Sequence, residues 1–227
     1  MAGASTTGAS IAEERNPKDD SLTPGRITLE RDLIDLLLTR RSVVANQLGE
    51  PGPDRNQMDL ILSAGIRVPD HGKIGPWRLQ VLDKQAQAEL GAVLAGEFLA
   101  KFPEANEKQV AFERNRPQRA PGFIVVSSRL NRQHKVPEIE QLLSCGAVCT
   151  NILNAAVALG FSAQWLTEWP AYNDSVKTAL GIPGDQHIIG LIYIGTAAEP
   201  PGERVRPERD AVASYLSSLP AAEEPTD

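Results

Sequence analysis

Several features that define common protein classes are scarce or missing in this sequence of 227 residues. It has only two cysteines, too few for a disulfide framework, so a reducing cytoplasm is the expected compartment. Its net charge of −6 argues against a nucleic-acid partner or an anionic membrane, because both reward a basic surface. We expect no apolar run long enough to cross a bilayer and no secretory signal at the N-terminus. The absences favour a soluble globular protein.

Signatures of catalysis by protein side chains alone are also missing. There is no G-x-S-x-G elbow, no Cys–His pair in a recognisable context and no pair of carboxylates spaced for acid–base work. Nor does a Gly-rich strand–turn–helix signal a Rossmann or P-loop domain. This is compatible with a cofactor that performs the chemistry while the fold supplies binding and electrostatics.

Composition divides the chain into one domain and two tails. Residues 1–27 are rich in Ala, Ser, Thr, Gly and charge, with little to bury, which predicts a disordered or loosely packed N-terminal extension. Residues 220–227 predict a flexible tail in the same way. The remaining residues, 28–219, are enough for one domain with a substantial core.

Helical and strand patterns alternate through this domain. The spacing of apolar residues predicts helices at 29–40, 54–67, 84–100, 136–159 and 172–180. It predicts strands at 77–83, 122–128, 162–167 and 187–197, the last buried on both faces. We interpret residues 112–121 as a polar connection. The alternation around a small central sheet is typical of an α+β sandwich.

Arg40, Arg41 and Ser42 lie where the first predicted helix ends. Adjacent arginines there most often complement the helix dipole and remain in water. The alternative is anion capture, since the planar guanidinium suits phosphate oxygens and a neighbouring hydroxyl adds a donor. An acidic protein that binds a phosphate dianion would need such a local cationic pocket.

Histidines and cysteines offer weaker candidates. His134 and Glu138 lie four apart and Glu140 follows, but metal binding lacks a third imidazole or a cysteine ligand nearby. Cys145 and Cys149 also lie four apart, in an Ala- and Leu-rich helix, where they are expected to act as small hydrophobic residues.

The segment "VPDHGKIGPW", Val68 to Trp77, has two interpretations. A Pro- and Gly-rich turn between a helix and a strand needs no further purpose. Its Asp, His and Lys side chains could instead surround a ligand. The segment alone does not decide between the two.

Four segments together resemble the FMN-dependent nitroreductase family, and most nearly its small single-domain YdjA-type NAD(P)H nitroreductases. They are "LLLTRRSV", "ILSAGIRVPDHGKIGPWRLQVL", "HKVPEIEQLLSCGAVCTNILNAAVALGFSAQWLT" and "IIGLIYIGT", in that order, and the likeness covers roughly Leu29 to Leu216. The resemblance implies an α+β, nitroreductase-like sandwich with a central, mostly antiparallel sheet flanked by helices. It also implies an intertwined homodimer with two FMN sites, each built at the interface from both subunits.

The resemblance implies cofactor-binding roles for three groups of residues. Arg40, Arg41 and Ser42 match the family's "RRS" and should hold the flavin phosphate and ribityl end. Arg67 and His71 match its "R-x-x-x-H" and should reach the flavin of the other subunit. Trp165, Leu166 and Thr167 match its "W-x-S/T" and should lie along the isoalloxazine, largely through backbone groups.

The sequence departs from the family pattern at two points. The loop lacks the Ser and Asn that many relatives use for flavin contacts, and the roles of Asp70 and Lys73 are open. Many relatives also end with a basic residue that closes on the phosphate; Arg204 and Arg206 are both candidates. His134 and Lys135 are expected in the pocket wall.

The implied reaction is a ping-pong oxidoreduction with NAD(P)H as donor and an electron-poor small molecule, such as a nitroaromatic or a quinone, as acceptor. Reductive dehalogenation and flavin cleavage, also found in this superfamily, remain alternatives. A non-catalytic FMN-binding protein is a third.

Overall fold

A five-stranded sheet in which all strand pairs are antiparallel forms the centre of the fold. The computed structural model describes residues 33–219. The strands are β1 (Leu48–Gly49), β2 (Trp77–Val81), β3 (Gly122–Ser128), β4 (Ser162–Leu166) and β5 (Ile188–Ala197). Strand β5 pairs with β1, β3 and β4, and β3 pairs in turn with β2. The predicted α+β class and antiparallel sheet are confirmed.

Helices cover both faces of this sheet. The helices of the described residues are α1 (Leu33–Thr39), α2 (Arg55–Gly65), α3 (Lys84–Lys101), α4 (Glu107–Arg114), α5 (Glu138–Ala158), α6 (Asp174–Ala179) and α7 (Arg209–Val212), of which α7 is fully exposed. Local sequence explains where several begin. Asp54 caps α2 by accepting from the Gln57 amide in a reciprocal capping box, and Asp83 caps α3 by accepting from the Ala86 amide.

Alternation along the central strands builds two separate cores. Phe123 and Val125 of β3 pack on the side of α3 and α6. Ile124 and Val126, the intervening residues, pack on the side of α2 and α5. Successive side chains of a strand point to opposite faces, so a strand buried on both faces is apolar throughout. This confirms the predicted sandwich, in which helices flank a central sheet.

Helix α5 runs through the second core. It is 21 residues long and apolar enough, by length and composition, to cross a membrane, so the expectation that no such run exists is wrong by this measure. One helix of this length and composition is weak evidence for a membrane span, because core helices of soluble proteins share both properties. Here Cys145, Val148 and Ile152 are fully buried among residues of β3, β5 and α2.

The structure corrects the prediction for residues 112–121. The end of α4 enters this segment, and a 3-10 turn follows at Arg116–Gln118. The Asn106–Gln109 capping box starts α4. The apolar spacing that predicts a helix is weak in α4, because the side chain that it buries near its end is Glu113, which forms an ion pair with Arg116. Strand β1 and α7 were also not predicted.

Other predicted elements are confirmed with ends shifted by a few residues. The start of the first helix and the two predicted tails, 1–27 and 220–227, lie outside the described residues.

Candidate functional site

Arg40, Arg41 and Ser42 directly follow α1. The Arg40 Nη1 donates to Ser42 Oγ over 3.4 Å. Arg41 Nη1 donates to the Gly202 carbonyl and lies 3.5 Å from Glu203 Oε1. The predicted segment therefore meets the C-terminal stretch of the domain, and its arginines are half-buried instead of pointing freely into water.

A third arginine joins this pair. Burial, followed by the charges of Arg206 and Arg41, lowers the pKa of the Arg40 guanidinium. Of the two C-terminal candidates, Arg206 thus lies close enough to act on Arg40. The Glu203 carboxylate, 3.5 Å from Arg41, is one negative charge beside these three cations, and such an excess of positive charge favours an anion. We call Arg40, Arg41 and Arg206 the arginine cluster.

The "RRS" segment lies beside the start of β4. The Val43 amide donates to the Ala163 carbonyl over 3.3 Å, and the Ala45 amide donates to Gln164 Oε1 over 2.6 Å. The fold therefore brings the "RRS" segment close to the strand that contains the "W-x-T" segment.

Within the "W-x-T" segment, two side chains are part of the core. Trp165 Nε1 donates to the Ile189 carbonyl over 2.9 Å, and a Cβ on Gly190 would lie 2.7 Å from that nitrogen. Leu166 packs against the core on the opposite face of the sheet. Thr167 is thus the residue of this segment whose side chain is open to solvent.

The loop from Val68 to Trp77 is shaped by Asp70. Its Oδ1 accepts from the Ile74 amide over 3.1 Å and its Oδ2 from the Gly75 amide over 2.9 Å. Between them Gly72 and Lys73 adopt positive φ angles of 76° and 55°. Asp70, unexplained by the sequence, therefore closes the turn with both of its carboxylate oxygens.

Side chains of α5 hold this loop in place. Ser144 Oγ donates to the Pro69 carbonyl over 2.7 Å, and Cys145 Sγ donates to the Pro76 carbonyl over 3.0 Å. Asn151 Nδ2 donates to the Arg67 carbonyl over 3.0 Å. The long helix thus sets the path of the loop from its beginning to its end.

His71 has a partner that the sequence did not reveal. Its Nδ1 lies 2.7 Å from Glu140 Oε2. Arg67 and His71 are both exposed, and within residues 33–219 no hydrogen bond or ion pair joins either of them to the "RRS" segment. The loop is therefore a second, separate group of predicted site residues.

His134 lies against the same loop. Its Nδ1 accepts from the Val136 amide over 3.2 Å, and a Cβ on Gly72 would lie 3.0 Å from its Cε1. Lys135 is exposed. No group of three His, Cys, Asp or Glu side chains suited to a metal occurs within the described part of the chain.

Both cysteines are buried and free. Burial raises the pKa of the Cys145 and Cys149 thiols to about 12. Because the thiolate is the reactive form, both residues behave as small hydrophobic groups, as expected.

The fold and these segments define a member of the nitroreductase family. The family model matches residues 37–196. The chain is 37% identical over 169 residues to the Escherichia coli K12 protein named "Putative NAD(P)H nitroreductase YdjA", covering 73% of this chain and 88% of that protein. The chain therefore belongs to the nitroreductase family.

Solved structures share the fold. A nitroreductase-like family protein from Bacillus cereus superposes with a TM-score of 0.71 at 18% identity, covering 83% of this chain and 97% of that one. The FMN and NADPH-dependent nitroreductase NfnB from Sphigopyxis sp. strain HMH gives a TM-score of 0.63 at 18% identity, covering 82% and 100%.

Proposed function

We propose that this chain is an FMN-dependent oxidoreductase that takes electrons from NAD(P)H and reduces an electron-poor acceptor of the nitroaromatic or quinone type by a ping-pong mechanism. The arginine cluster, in a chain that belongs to the nitroreductase family, is the observation that carries the proposal. The relatives' names support the cofactor and the donor: the Escherichia coli protein is named for NAD(P)H, and NfnB is described as FMN and NADPH-dependent.

The residues present fit the phosphate end of FMN. Arginine offers several N–H donors in a plane, which matches phosphate oxygens, and each such bond is charge-assisted. Arg40 and Arg41 would donate to the phosphate, with Ser42 Oγ as a further donor. Arg206 would close the cluster from the C-terminal stretch. A dianion there would relieve the mutual repulsion of the three cations.

The remaining groups would orient the ring system. The side chain of Thr167 is open to solvent, while the Trp165 and Leu166 side chains fix the segment by packing inward. When bound, FMN supplies the electron transfer between donor and acceptor. The protein then has to bind, align and exclude water, a role that needs few reactive side chains.

A homodimer would complete each site. Leu33 and Leu38 of α1 and Ile139 and Leu143 of α5 are 60–77% exposed in the single chain. Contiguous exposed apolar residues mark interaction surfaces. Arg67 and His71, separate from the arginine cluster of their own chain, would serve the cofactor of the second copy.

A cytoplasmic location belongs to the same proposal. Its support is that both cysteines are free and that α5 is a core helix.

The visible spectrum of the purified protein tests the proposed function. We expect a yellow protein whose flavin absorbance is bleached by anaerobic NADH or NADPH and restored by a nitroaromatic or a quinone. A protein that takes up no FMN would contradict the cofactor assignment. A flavin that neither nicotinamide reduces would favour a binding protein or another flavin reaction.

A further inference from the structure

Four charged side chains meet beyond the end of β4. Glu168 Oε1 lies 2.6 Å from Arg116 Nη1, and Glu168 Oε2 lies 2.8 Å from Arg119 Nη2. Arg116 also forms a two-point pair with Glu113, at 2.6 and 2.5 Å. The side chains of Glu113 and Arg116 are each only 7% exposed, so this is a buried ionic cluster.

Two aromatic side chains pack against the ionic cluster. The Arg119 guanidinium lies 5.4 Å from the centre of the Tyr193 ring, and Trp169 Nε1 donates to Glu113 Oε2 over 3.0 Å. Burial raises the pKa of Tyr193, so its hydroxyl adds no charge. The carboxylates and guanidiniums balance, two of each sign, and their mutual pairing is what allows them to be buried.

Glu168 belongs to a stretch of main chain that forms no strand pairing with the sheet. The ladder between β4 and β5 ends at the pair Leu166 and Leu191, so Thr167 and Glu168 lie beyond it. The next turn begins at Trp169. Glu168 is therefore anchored outside the sheet, by its side chain, which two arginines bind, and by its carbonyl, which accepts from the Ala171 amide over 3.1 Å.

Stability alone does not account for such a cluster. A buried ion pair is often no more stabilising than apolar residues of similar size, but it tolerates only one geometry, since a displaced charge loses its partner. A carboxylate held by two guanidiniums from the same short turn fixes its own main chain in position and orientation.

We propose that the two ion pairs of Glu168, with Arg116 and Arg119, position the main chain of Thr167 and Glu168 for contact with the flavin, with Glu168 as the positioning residue. The proposal rests on the proposed function for its ligand. Its structural half, the fixing of Glu168, can be measured in the protein without flavin.

Two measurements on Glu168→Gln test it. Glutamine keeps the size of the side chain but offers one acceptor oxygen to two guanidiniums. In the apo-protein, amide hydrogen exchange at Ala171, whose N–H donates to the Glu168 carbonyl over 3.1 Å, should become at least about tenfold faster, as for a segment that opens locally. The dissociation constant for FMN, measured by quenching of flavin fluorescence, should rise by about tenfold or more, a change of roughly 1.4 kcal/mol.

Glu113→Gln is the matched control. It removes a carboxylate of the same cluster, 7% exposed against 27% for Glu168, but leaves both bonds to Glu168. It should lower the stability of the protein while leaving the exchange rate of the Ala171 amide and the FMN dissociation constant near wild-type values. If Glu168→Gln does not fold, the double variant Glu168→Gln with Arg119→Gln removes one charge of each sign and should show the same faster exchange and weaker FMN binding.

Wild-type exchange and wild-type FMN affinity in a folded Glu168 variant would overturn the positioning role. Equal losses of FMN affinity in Glu113→Gln and Glu168→Gln would overturn it too, because they would indicate a general structural effect. A wild-type protein that binds no FMN would refute the proposed function instead, and the apo-protein exchange rates would still decide whether the ion pairs fix Glu168.

Discussion

Nδ1 of His71 lies 2.7 Å from Oε2 of Glu140, which joins the loop after α2 to the first turn of α5. A carboxylate at Nδ1 favours the tautomer that carries its proton there and leaves Nε2 as the atom for another partner. The pair therefore orients the one loop histidine that the family resemblance assigns to the flavin.

Replacing Glu140 by Ala should release the His71 ring without unfolding the loop, because Ser144 and Cys145 still hold it through the Pro69 and Pro76 carbonyls. We expect the nitrogen chemical shifts of His71, measured by NMR, to change from a defined tautomer to a mixture. If His71 contacts flavin as proposed, FMN affinity should fall by roughly three- to tenfold.

Glu138→Ala is the control for this change. Glu138 lies two residues earlier on the same helix but pairs with Arg132, 2.9 Å away. It should leave both the His71 signals and FMN affinity unaltered. Unchanged His71 nitrogen shifts in Glu140→Ala would show that the pair does not set the tautomer.

The arginine cluster predicts unequal roles for neighbouring residues. Arg41→Ala and Arg206→Ala should each weaken FMN binding by about 10- to 100-fold, since a charge-assisted hydrogen bond contributes about 1.5–3 kcal/mol. Arg204→Ala should have a smaller effect, because the charge of Arg206 is among the causes that lower the pKa of the Arg40 guanidinium and that of Arg204 is not. Equilibrium dialysis and thermal unfolding would compare affinity with folding. Full flavin occupancy in Arg41→Ala after dialysis would refute the phosphate assignment.

Periodicity predicted the elements whose cores are apolar and missed those stabilised by polar contacts. Strands β3 and β5 are buried on both faces, so their continuous apolar runs predicted them. Helix α4 was missed because Glu113, Arg116 and Arg119 look like a solvated connection. Only the fold shows that their charges pair with one another and with Glu168, 49 residues or more along the chain from either arginine.

The candidate site shows the same limit. The order of four motifs led to Arg40, Arg41 and the loop. Partners such as Glu140 for His71, or Arg206 for Arg40, depend on which surfaces the fold brings together. Spacing along the chain carries no signal for either.

Two glycines of α3 should respond in opposite ways to alanine. A Cβ on Gly91 would overlap the carbonyl oxygen of Arg114 where α4 crosses α3, whereas a Cβ on Gly96 meets nothing within 4 Å. Gly96→Ala should stabilise the protein by up to about 1 kcal/mol through helix propensity. Gly91→Ala should destabilise it by about 1–3 kcal/mol in urea unfolding, because the helices must move apart. Equal effects in the two variants would show that α4 does not pack this closely.

Acid should remove the contribution of Glu168. Burial raises the pKa of this carboxyl, but hydrogen bonds and charge from Arg119 and Arg116 outweigh it and hold the pKa below its usual value. The unfolded chain therefore binds a proton at a higher pH than the folded chain does. The stability that Glu168 provides is complete above the ordinary glutamate pKa of about 4.3 and falls as the pH drops through the lower folded value.

Urea unfolding of the wild type and of Glu168→Gln between pH 7 and pH 3 measures this dependence. At pH 7 the variant should be less stable by about 2–4 kcal/mol, because it leaves a buried guanidinium without its partner. The difference should stay constant down to about pH 5 and shrink below it, since the wild type then loses the carboxylate that the variant never had. A difference that persists unchanged to pH 3 would mean that Glu168 remains ionised there, or that its charge contributes nothing. Arg119→Gln distinguishes these two explanations. If pairing with Arg119 lowers the pKa of Glu168, this variant should lose the stability contribution of Glu168 at a higher pH than the wild type does.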